Sequence, residues 1–278
     1  MVIPMMMLKQ GVLAVAMTFA MATSGWAKPA MADTSLAAFD GLLGSYVTKG
    51  ADGVTRVDYA RWKSAGPDVE ALSEFIKTQS AVAPSGLSKP AQLAYWANLY
   101  NAITLKVILD AYPVASIRDI KSKGVWLDPK AFLGPWVEKR VTVEGRELSL
   151  DEIEHAILRP TFKDPRVHYS VNCASFGCPN LRPVAWRAET LEAELDAAAR
   201  DYVNHPRGAA IEAGSLKVSS IYKWFKADFG GTDAGVIAHL KQYANPQLAK
   251  KLETLKVIGG DDYDWSLNDT KTAKTGAR

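Results

Sequence analysis

Cysteine and histidine are scarce in this chain, which has two cysteines and four histidines in 278 residues. This scarcity excludes a scaffold held by several disulfides and the cysteine-rich zinc modules. Both cysteines and one histidine nevertheless fall in a single stretch, residues 167–179, which reads VHYSVNCASFGCP. Most groups able to act as nucleophile, base or soft metal ligand therefore lie within a dozen residues, and this clustering predicts a functional site.

Strong charge and the common nucleotide-binding motifs are also absent. The formal charge is only +3, which is no electrostatic footprint for nucleic acid. The chain has no Walker A motif and no dinucleotide fingerprint. The triplet 228–230 (DFG) stands without the other kinase motifs. Nothing implies a cofactor, so the expected partner is a small-molecule or peptide ligand, and the sequence sets no oligomeric state.

Long apolar runs are confined to the first residues. A basic start with Lys9, an apolar run over 12–22 and small residues ending at Ala32 are typical of a secretory signal peptide. We expect cleavage after Ala32, with Ala27 as the alternative, and a periplasmic or secreted protein without a transmembrane segment. The mature chain would have about 245 residues and a charge near +1, since Lys9 and Lys28 leave with the signal.

The hydrophobic patterns predict a helix-rich α+β single domain with a small, mostly antiparallel sheet in its second half. Residues 88–111 form the clearest helix, with Ser88 as N-cap and Pro90 in the first turn. Ser149 and Glu152 form a capping box that starts another helix. Further predicted elements are a helix over 190–204, hairpins over 140–148 and 210–219, and strands over 167–171 and 255–258.

The predicted domain organisation has four parts. The signal peptide covers 1–32, an N-terminal helical region packed on the main domain covers 33–86, the main domain covers 87–268, and a disordered polar tail covers 269–278.

The stretch 167–179 has several interpretations. In an exported protein, Cys173 and Cys178 are typical of a small disulfide that pins a loop. Alternatively, one thiol is a nucleophile and His168 is its base. A third interpretation makes Ser175 the nucleophile, although it lacks a G-x-S-x-G elbow. Metal binding by both thiols and His168 is a further alternative, but the spacing matches no structural zinc pattern and we predict no metal.

The long helix carries two asparagines, Asn98 and Asn101, spaced three residues apart on one face. Asparagine is a poor helix former, so two of them near a helix centre need an explanation. Their amides either satisfy the backbone of a neighbouring loop, such as the cysteine loop, or orient His168 or a substrate carbonyl.

The remaining histidines carry weaker signals. His155 completes an E-x-x-H motif with Glu152, but a carboxylate-bridged metal site needs two such motifs. His205 lies at a helix end, where a cation favours the helix dipole. His239 lies within a helix and is predicted to be a surface or packing residue.

Several motifs in this order resemble one known family. They are 95–102 (YWANLYNA), 148–154 (LSLDEIE), 167–175 (VHYSVNCAS), 177–179 (GCP) and 263–268 (YDWSLN). The chain thereby resembles the domain-of-unknown-function family DUF547 over roughly 87–268. The resemblance implies membership of that family and no particular reaction, because the family's name assigns none.

A second, looser resemblance concerns the layout of papain-like and transglutaminase-like enzymes, in which a helix begins with the nucleophilic cysteine and a strand carries the histidine. Here the helix offers Asn98 and Asn101, and both cysteines follow His168. This departure puts ordinary cysteine-protease chemistry in doubt.

Two hypotheses follow. The chain is either a thiol-dependent acyl-transfer hydrolase or a non-catalytic periplasmic binding or scaffold module. In the enzyme, His168 is the base, Cys173 or Cys178 the nucleophile, and Asn98 or Asn101 the orienting or oxyanion group. In the module, a Cys173–Cys178 disulfide shapes a recognition surface that exposed aromatics such as Trp126 and Trp136 would extend.

Overall fold

Helices make up most of the regular structure. The computed structural model describes residues 27–121 and 134–272. The α-helices are α1 (Ala27–Tyr46), α2 (Tyr59–Ser64), α3 (Gly66–Ser80), α4 (Lys89–Ala111), α5 (Arg159–Phe162), α6 (Val167–Ser170), α7 (Leu191–Val203), α8 (Ile221–Trp224), α9 (Asp233–Tyr243) and α10 (Pro246–Leu252). A π-helical segment covers Glu152–Leu158, and 3-10 turns cover Pro84–Gly86, Ile117–Asp119 and Lys226–Phe229. Within the described ranges no helix combines the length and apolar character needed to cross a bilayer.

The strands are short and form three small sheets. They are β1 (Val47–Lys49), β2 (Thr55–Val57), β3 (Val141–Val143), β4 (Arg146–Leu148), β5 (Ala209–Glu212), β6 (Ser215–Ser219) and β7 (Gly260–Asp262). The pairs β1–β2, β3–β4 and β5–β6 are antiparallel, and β7 adds to β6 in parallel. The predicted helix-rich α+β domain with mostly antiparallel strands is confirmed, although one pair lies in the first half.

The last strand lies further along the chain than predicted. Residues 255–258 do not pair, because Leu255 and Ile258 pack on the hydrophobic core instead. The chain comes alongside β6 at Gly259, whose N–H donates to the Leu216 carbonyl at 2.8 Å. A Cβ at Gly259 would collide with the Ser215 hydroxyl, so any other residue there would force that side chain to move.

Helix α4 is the centre of the core and confirms the helix predicted over 88–111. Nearly every residue from Leu93 to Leu109 is buried. One face packs with the N-terminal helices through Leu105 and Ile108, and the other packs with the following segments through Leu99. A helix that is apolar on all sides belongs in the middle of a domain.

The N-terminal region packs against this central helix. Helix α1 contacts α3, and α3 contacts α4. Phe39 stacks on Phe75 with ring centroids 4.2 Å apart. The far end of the chain returns to the same region, since Asp269 is buried and accepts a 2.7 Å hydrogen bond from Tyr112. Asp269, the first residue of the segment predicted as a polar tail, is therefore part of the packed structure.

The strand predicted over 167–171 is wrong, because residues 167–170 form α6. The carboxylate of Asp164 accepts the N–H of Arg166, and the N–H of Val167 donates to the Asp164 carbonyl, which starts a helical turn. Alternating polarity predicts a strand only if one face meets solvent. Here all four residues of α6 are buried, so the alternation does not report exposure.

Candidate active site

The two cysteines and His168 line one cavity of about 260 Å³. Much of its wall is aromatic: the rings come from Tyr100, Trp136, Trp224, Phe225, Tyr263 and Trp265. The polar groups in this wall and directly behind it form two sets. We name them the thiol cluster (Cys173, Ser175, Cys178 and Tyr263) and the imidazole cluster (Glu154, Arg159, His168 and Asp228). Of the exposed aromatics predicted to extend a recognition surface, Trp136 borders this cavity and Trp126 lies outside the described residues.

The loop over 171–179 holds the thiol cluster in place through its own polar side chains. The amide of Asn172 donates to the Pro179 carbonyl and accepts the N–H of Ala174, both at 2.8 Å. Ala174 has φ +62°, a conformation that costs free energy in a residue other than glycine. At Gly177 a Cβ would lie within 3.0 Å of the Asp264 backbone, so only glycine allows the 263–268 segment this close. The loop is thus bent tightly and pinned.

The thiol cluster brings two sulfurs and two hydroxyls within hydrogen-bond range. The Tyr263 hydroxyl lies 3.1 Å from the Cys173 sulfur, 3.0 Å from the Cys178 sulfur and 3.2 Å from the Ser175 hydroxyl. The Ser175 hydroxyl lies 2.8 Å from the Cys173 sulfur. The backbone N–H of Cys173 donates to the Cys178 sulfur at 3.0 Å. The Cys178 sulfur therefore has several neutral donors around it.

These donors shift the two thiol pKa values in opposite directions. Burial by itself would raise the pKa of Cys178, but hydrogen bonds from the Cys173 thiol, the Tyr263 hydroxyl and the Cys173 N–H outweigh it and lower that pKa to about 7. Burial raises the pKa of Cys173 well above its ordinary value, and its hydrogen bond with Cys178 raises it further. Burial also raises the pKa of Tyr263, which keeps its proton as a donor. Cys178 is thus the thiol that ionises near neutral pH.

The predicted Cys173–Cys178 disulfide is wrong for this structure. Both residues are free thiols, and their sulfurs are not at disulfide distance, which is about 2.05 Å. The turn places the Cys178 sulfur against the backbone N–H of Cys173, and Tyr263 and Ser175 occupy the remaining contacts. Asn172, rather than a covalent bond, pins the loop.

The imidazole cluster is held by charge. His168 is buried on α6, and its Nε2 lies 2.7 Å from Asp228 Oδ2. Arg159 donates two hydrogen bonds to the same carboxylate, at 2.6 and 3.1 Å. His168 and Arg159 hold the pKa of Asp228 well below its usual range. On the other side of the ring, His168 Nδ1 lies 3.8 Å from Glu154 Oε1, and Phe225 stacks on the imidazole at 4.4 Å.

A π-helical segment presents Glu154 to this cluster. The predicted capping box is confirmed, since Ser149 and Glu152 exchange hydrogen bonds of 2.8 and 3.2 Å. The helix then widens, and the N–H of Arg159 bonds to the Glu154 carbonyl five residues back. Pro160 follows at once and has no N–H to continue a regular α-helical ladder. Such π segments are frequent at functional sites, and this one contributes Glu154 to the cavity wall.

Asn98 and Asn101 do not line this cavity. Each amide makes a pair of backbone hydrogen bonds instead. Asn98 bonds to both the carbonyl and the N–H of Trp186. Asn101 donates to the Ser170 carbonyl and accepts the N–H of Asn172, both within 2.9 Å. Asn101 therefore joins α6 to the cysteine loop, and the observed bonds match the interpretation in which the amides satisfy a neighbouring backbone.

The structure thus brings together four of the six predicted site residues. His168, Cys173 and Cys178 line the cavity, and Ser175 belongs to the thiol cluster through its contact with the Cys173 sulfur. Among the described residues, His168 makes no hydrogen bond with either thiol or with Ser175. The two thiols and His168 do not form a metal site, since the described ranges contain no group of three or more suitable ligands.

Four residues of the two clusters have no role in the sequence analysis. Asp228 appears there only in the DFG triplet, Tyr263 and Glu154 appear only within the family motifs, and Arg159 does not appear. The motif YDWSLN was the available signal for Tyr263, because it resembled the same family as the cysteine stretch. Asp228 is 60 residues beyond His168, and no local pattern connects them.

The layout of papain-like enzymes is not reproduced either. That comparison needs the histidine on a strand, and His168 lies on the helix α6. The comparison of the chain with solved structures gave no match. The comparison with curated proteins gave none either.

A family model does match part of the chain. Residues 84–203 match the model described as "Protein of unknown function, DUF547". The matched part contains α4, the π-helical segment, His168 and the cysteine loop, whereas Asp228 and Tyr263 follow it. The description assigns no activity. Over residues 84–203 the chain is therefore similar to the DUF547 family.

Proposed function

We propose that this domain is a thiol-dependent acyl-transfer hydrolase in which Cys178 is the nucleophile. The observation that carries the proposal is the set of donors around the Cys178 sulfur, which lowers its pKa to about 7 despite burial. A thiolate is the reactive form of cysteine, and a pKa near the working pH supplies it without a prior proton transfer. Cys178 also borders a cavity able to admit a small acyl compound.

His168 then acts as a proton carrier for the substrate rather than as the base for the thiol. It lines the same cavity and is oriented by Asp228 at 2.7 Å. An imidazole oriented by a carboxylate is a common general acid and base. This role does not need a hydrogen bond between His168 and Cys178.

The reaction proceeds in two balanced steps. The Cys178 thiolate attacks the carbonyl carbon of an ester, thioester or amide, and the leaving group departs with a proton from His168. Water then attacks the acyl-thioester, gives a proton back to His168 and releases the acid and the thiolate. The Tyr263 hydroxyl lies 3.0 Å from the nucleophilic sulfur and is our candidate to donate to the oxyanion.

Matched cysteine variants test the proposal. We expect Cys178→Ser to lower kcat/KM for a short-chain thioester by at least about 10³-fold, because it removes the nucleophile. Cys173→Ala should cost only about tenfold, since it removes one donor to the thiolate. Thermal melts of both variants control for folding.

Alkylation by iodoacetamide, mapped by mass spectrometry, should occur at Cys178 with a midpoint near pH 7. Full hydrolysis by Cys178→Ser, or alkylation restricted to Cys173, would overturn the assignment of the nucleophile.

A non-catalytic binding module is the second candidate, and the aromatic wall favours it. Trp224 is 47% exposed at this cavity and stacks on Trp265 at 5.6 Å. An exposed tryptophan beside a cavity is typical of ligand recognition. In that case a ligand binds equally well to the wild type and to Cys178→Ser, and no acyl compound is turned over.

We also propose that the protein is exported to the periplasm or secreted. The supporting observation is the sequence of residues 1–32, with Lys9, the apolar run and the small residues ending at Ala32. Sequencing the N-terminus of the protein purified from the periplasmic fraction tests this. Asp33 is the expected first residue, and recovery of the uncleaved chain from the cytoplasm would contradict export.

A further inference from the structure

Apart from two histidines, the ionisable side chains that line the cavity and carry a fixed charge are acidic. The described wall contains the carboxylates of Asp151 and Glu154 and no lysine or arginine. Behind the wall, the Arg159 guanidinium lies 4.7 Å from the centre of the Phe225 ring and is already engaged by Asp228. The cavity therefore attracts cations and repels anions, apart from what the histidines contribute.

Glu154 is the more buried of the two carboxylates in the cavity wall. Its side chain is 14% exposed, and within the described ranges no lysine or arginine lies at ion-pair distance from it. Its contacts are His168 Nδ1 at 3.8 Å, which is longer than a hydrogen bond, and the hydroxyl of Tyr100. A largely desolvated carboxylate without a permanent cation favours a ligand that supplies one.

The aromatic wall offers a second, independent attraction for a cation. Trp224 stacks on Trp265, and Trp136 meets Trp265 edge to face at 5.9 Å. Trp265 already has the Arg118 guanidinium 5.1 Å from its ring centre, which shows that this surface accommodates positive charge. Tryptophan faces are the strongest of the aromatic side chains in attracting ammonium groups.

We propose that the acyl group presented to Cys178 carries an organic ammonium group, which pairs with Glu154 and is covered by the tryptophan faces. That the ligand is an acyl compound rests on the proposed function, whereas the preference for a cation rests on the residues of the cavity alone. Acyl compounds with a free carboxylate or phosphate near the reacting carbonyl are excluded by the same charges.

A binding experiment tests the charge preference without any chemistry. Benzylammonium, benzyl alcohol and benzoate have similar shapes and differ in charge, and tryptophan fluorescence reports occupancy. We expect benzylammonium to bind at least tenfold more tightly than benzyl alcohol, and benzoate more weakly than both. Glu154→Gln should reduce the ratio of ammonium to alcohol affinity to below about threefold. The surface variant Glu147→Gln removes the same charge outside the cavity and should leave the ratio unchanged.

A kinetic experiment links the preference to the reaction. Thioesters of 6-aminohexanoate, heptanoate and adipate share a chain length and differ in terminal charge. The expected order of kcat/KM is cationic, then neutral, then anionic, with about tenfold between the first two.

The outcomes separate the two proposals. Hydrolysis of all three thioesters at similar rates, or equal binding of benzyl alcohol and benzylammonium, would overturn the ammonium assignment. Tight ammonium binding without hydrolysis of any thioester would overturn the hydrolase and leave the ligand class standing.

Discussion

The thiol cluster and the imidazole cluster border one cavity but stabilise negative charge by different means. Around Cys178 the donors are neutral, namely a backbone N–H, a thiol and two hydroxyls, and the described residues include no ion pair there. Around Asp228 the partners are a guanidinium and an imidazole. In the proposed hydrolase, neutral donors stabilise the thiolate without neutralising its charge, whereas the Asp228 carboxylate, fixed by Arg159, orients the imidazole. The difference suggests one cluster for nucleophilic chemistry and one for orientation and proton transfer.

The largest expected effect on stability comes from Asn101, whose amide joins α6 to the cysteine loop. Asn101→Ala leaves the Asn172 N–H without its partner and removes one of two donors to the Ser170 carbonyl, which keeps the Trp186 indole N–H at 3.1 Å. A buried orphan N–H costs roughly 1–3 kcal/mol and a lost hydrogen bond about 1 kcal/mol, so the free energy of unfolding should fall by about 3 kcal/mol. Urea denaturation measures it.

Asn98→Ala is the matched control, because Asn98 makes the same pair of bonds to Trp186. It should cost a similar amount of stability while leaving the alkylation rate of Cys178 unchanged, and Asn101→Ala should alter that rate. Equal alkylation behaviour of the two variants would contradict a linking role for Asn101.

The second largest expected effect on stability comes from disrupting the imidazole cluster. Asp228→Asn removes the charged partner of His168 and Arg159 and should lower the free energy of unfolding by about 2 kcal/mol at pH 7. The pKa of Asp228 is held below its unfolded value, so this stabilisation exists above about pH 4 and is lost as pH falls further. The difference between wild type and variant should therefore shrink in denaturation series below pH 4. A difference that stays constant down to pH 2 would contradict the ion-pair explanation.

The smallest expected effect is a change in the pKa of Cys178 within the thiol cluster. Tyr263→Phe removes one donor to the Cys178 sulfur, and we expect the pKa of Cys178 to rise by about 1 unit. The pH dependence of alkylation measures the shift. Tyr222→Phe removes another buried hydroxyl, bonded to Tyr169, and should leave the midpoint unchanged. An unmoved midpoint in Tyr263→Phe would show that the other donors suffice.

Elements with local signals were predictable. The capping box of Ser149 and Glu152, the helix ended by Tyr112 and Pro113, and the two hairpins depend on residues close in sequence. Their hydrogen bonds close short loops, so the pattern itself contains the interacting partners. The position of the site was predictable for the same reason, because 167–179 collects both thiols and His168.

Elements that depend on burial were not predictable. Residues 167–170 alternate in polarity as a half-exposed strand would, yet they lie wholly in the core as a helix. His239, expected as a surface or packing residue, is buried against the Tyr169 hydroxyl at 2.7 Å, and burial lowers its pKa to about 4. Solvent exposure depends on how the whole molecule packs, so it could not be predicted from the local sequence pattern.

Composition, capping and short motifs act locally, and they were sufficient to predict the helix-rich fold class, the similarity to DUF547 and the stretch that lines the candidate site. The packing of distant segments sets which thiol has the lower pKa, which carboxylate orients His168 and which aromatic rings surround them. Cys178 meets Tyr263 across 85 residues, and His168 meets Asp228 across 60. Contacts over such separations form only when the intervening helices pack, so their geometry follows from the core rather than from any local pattern.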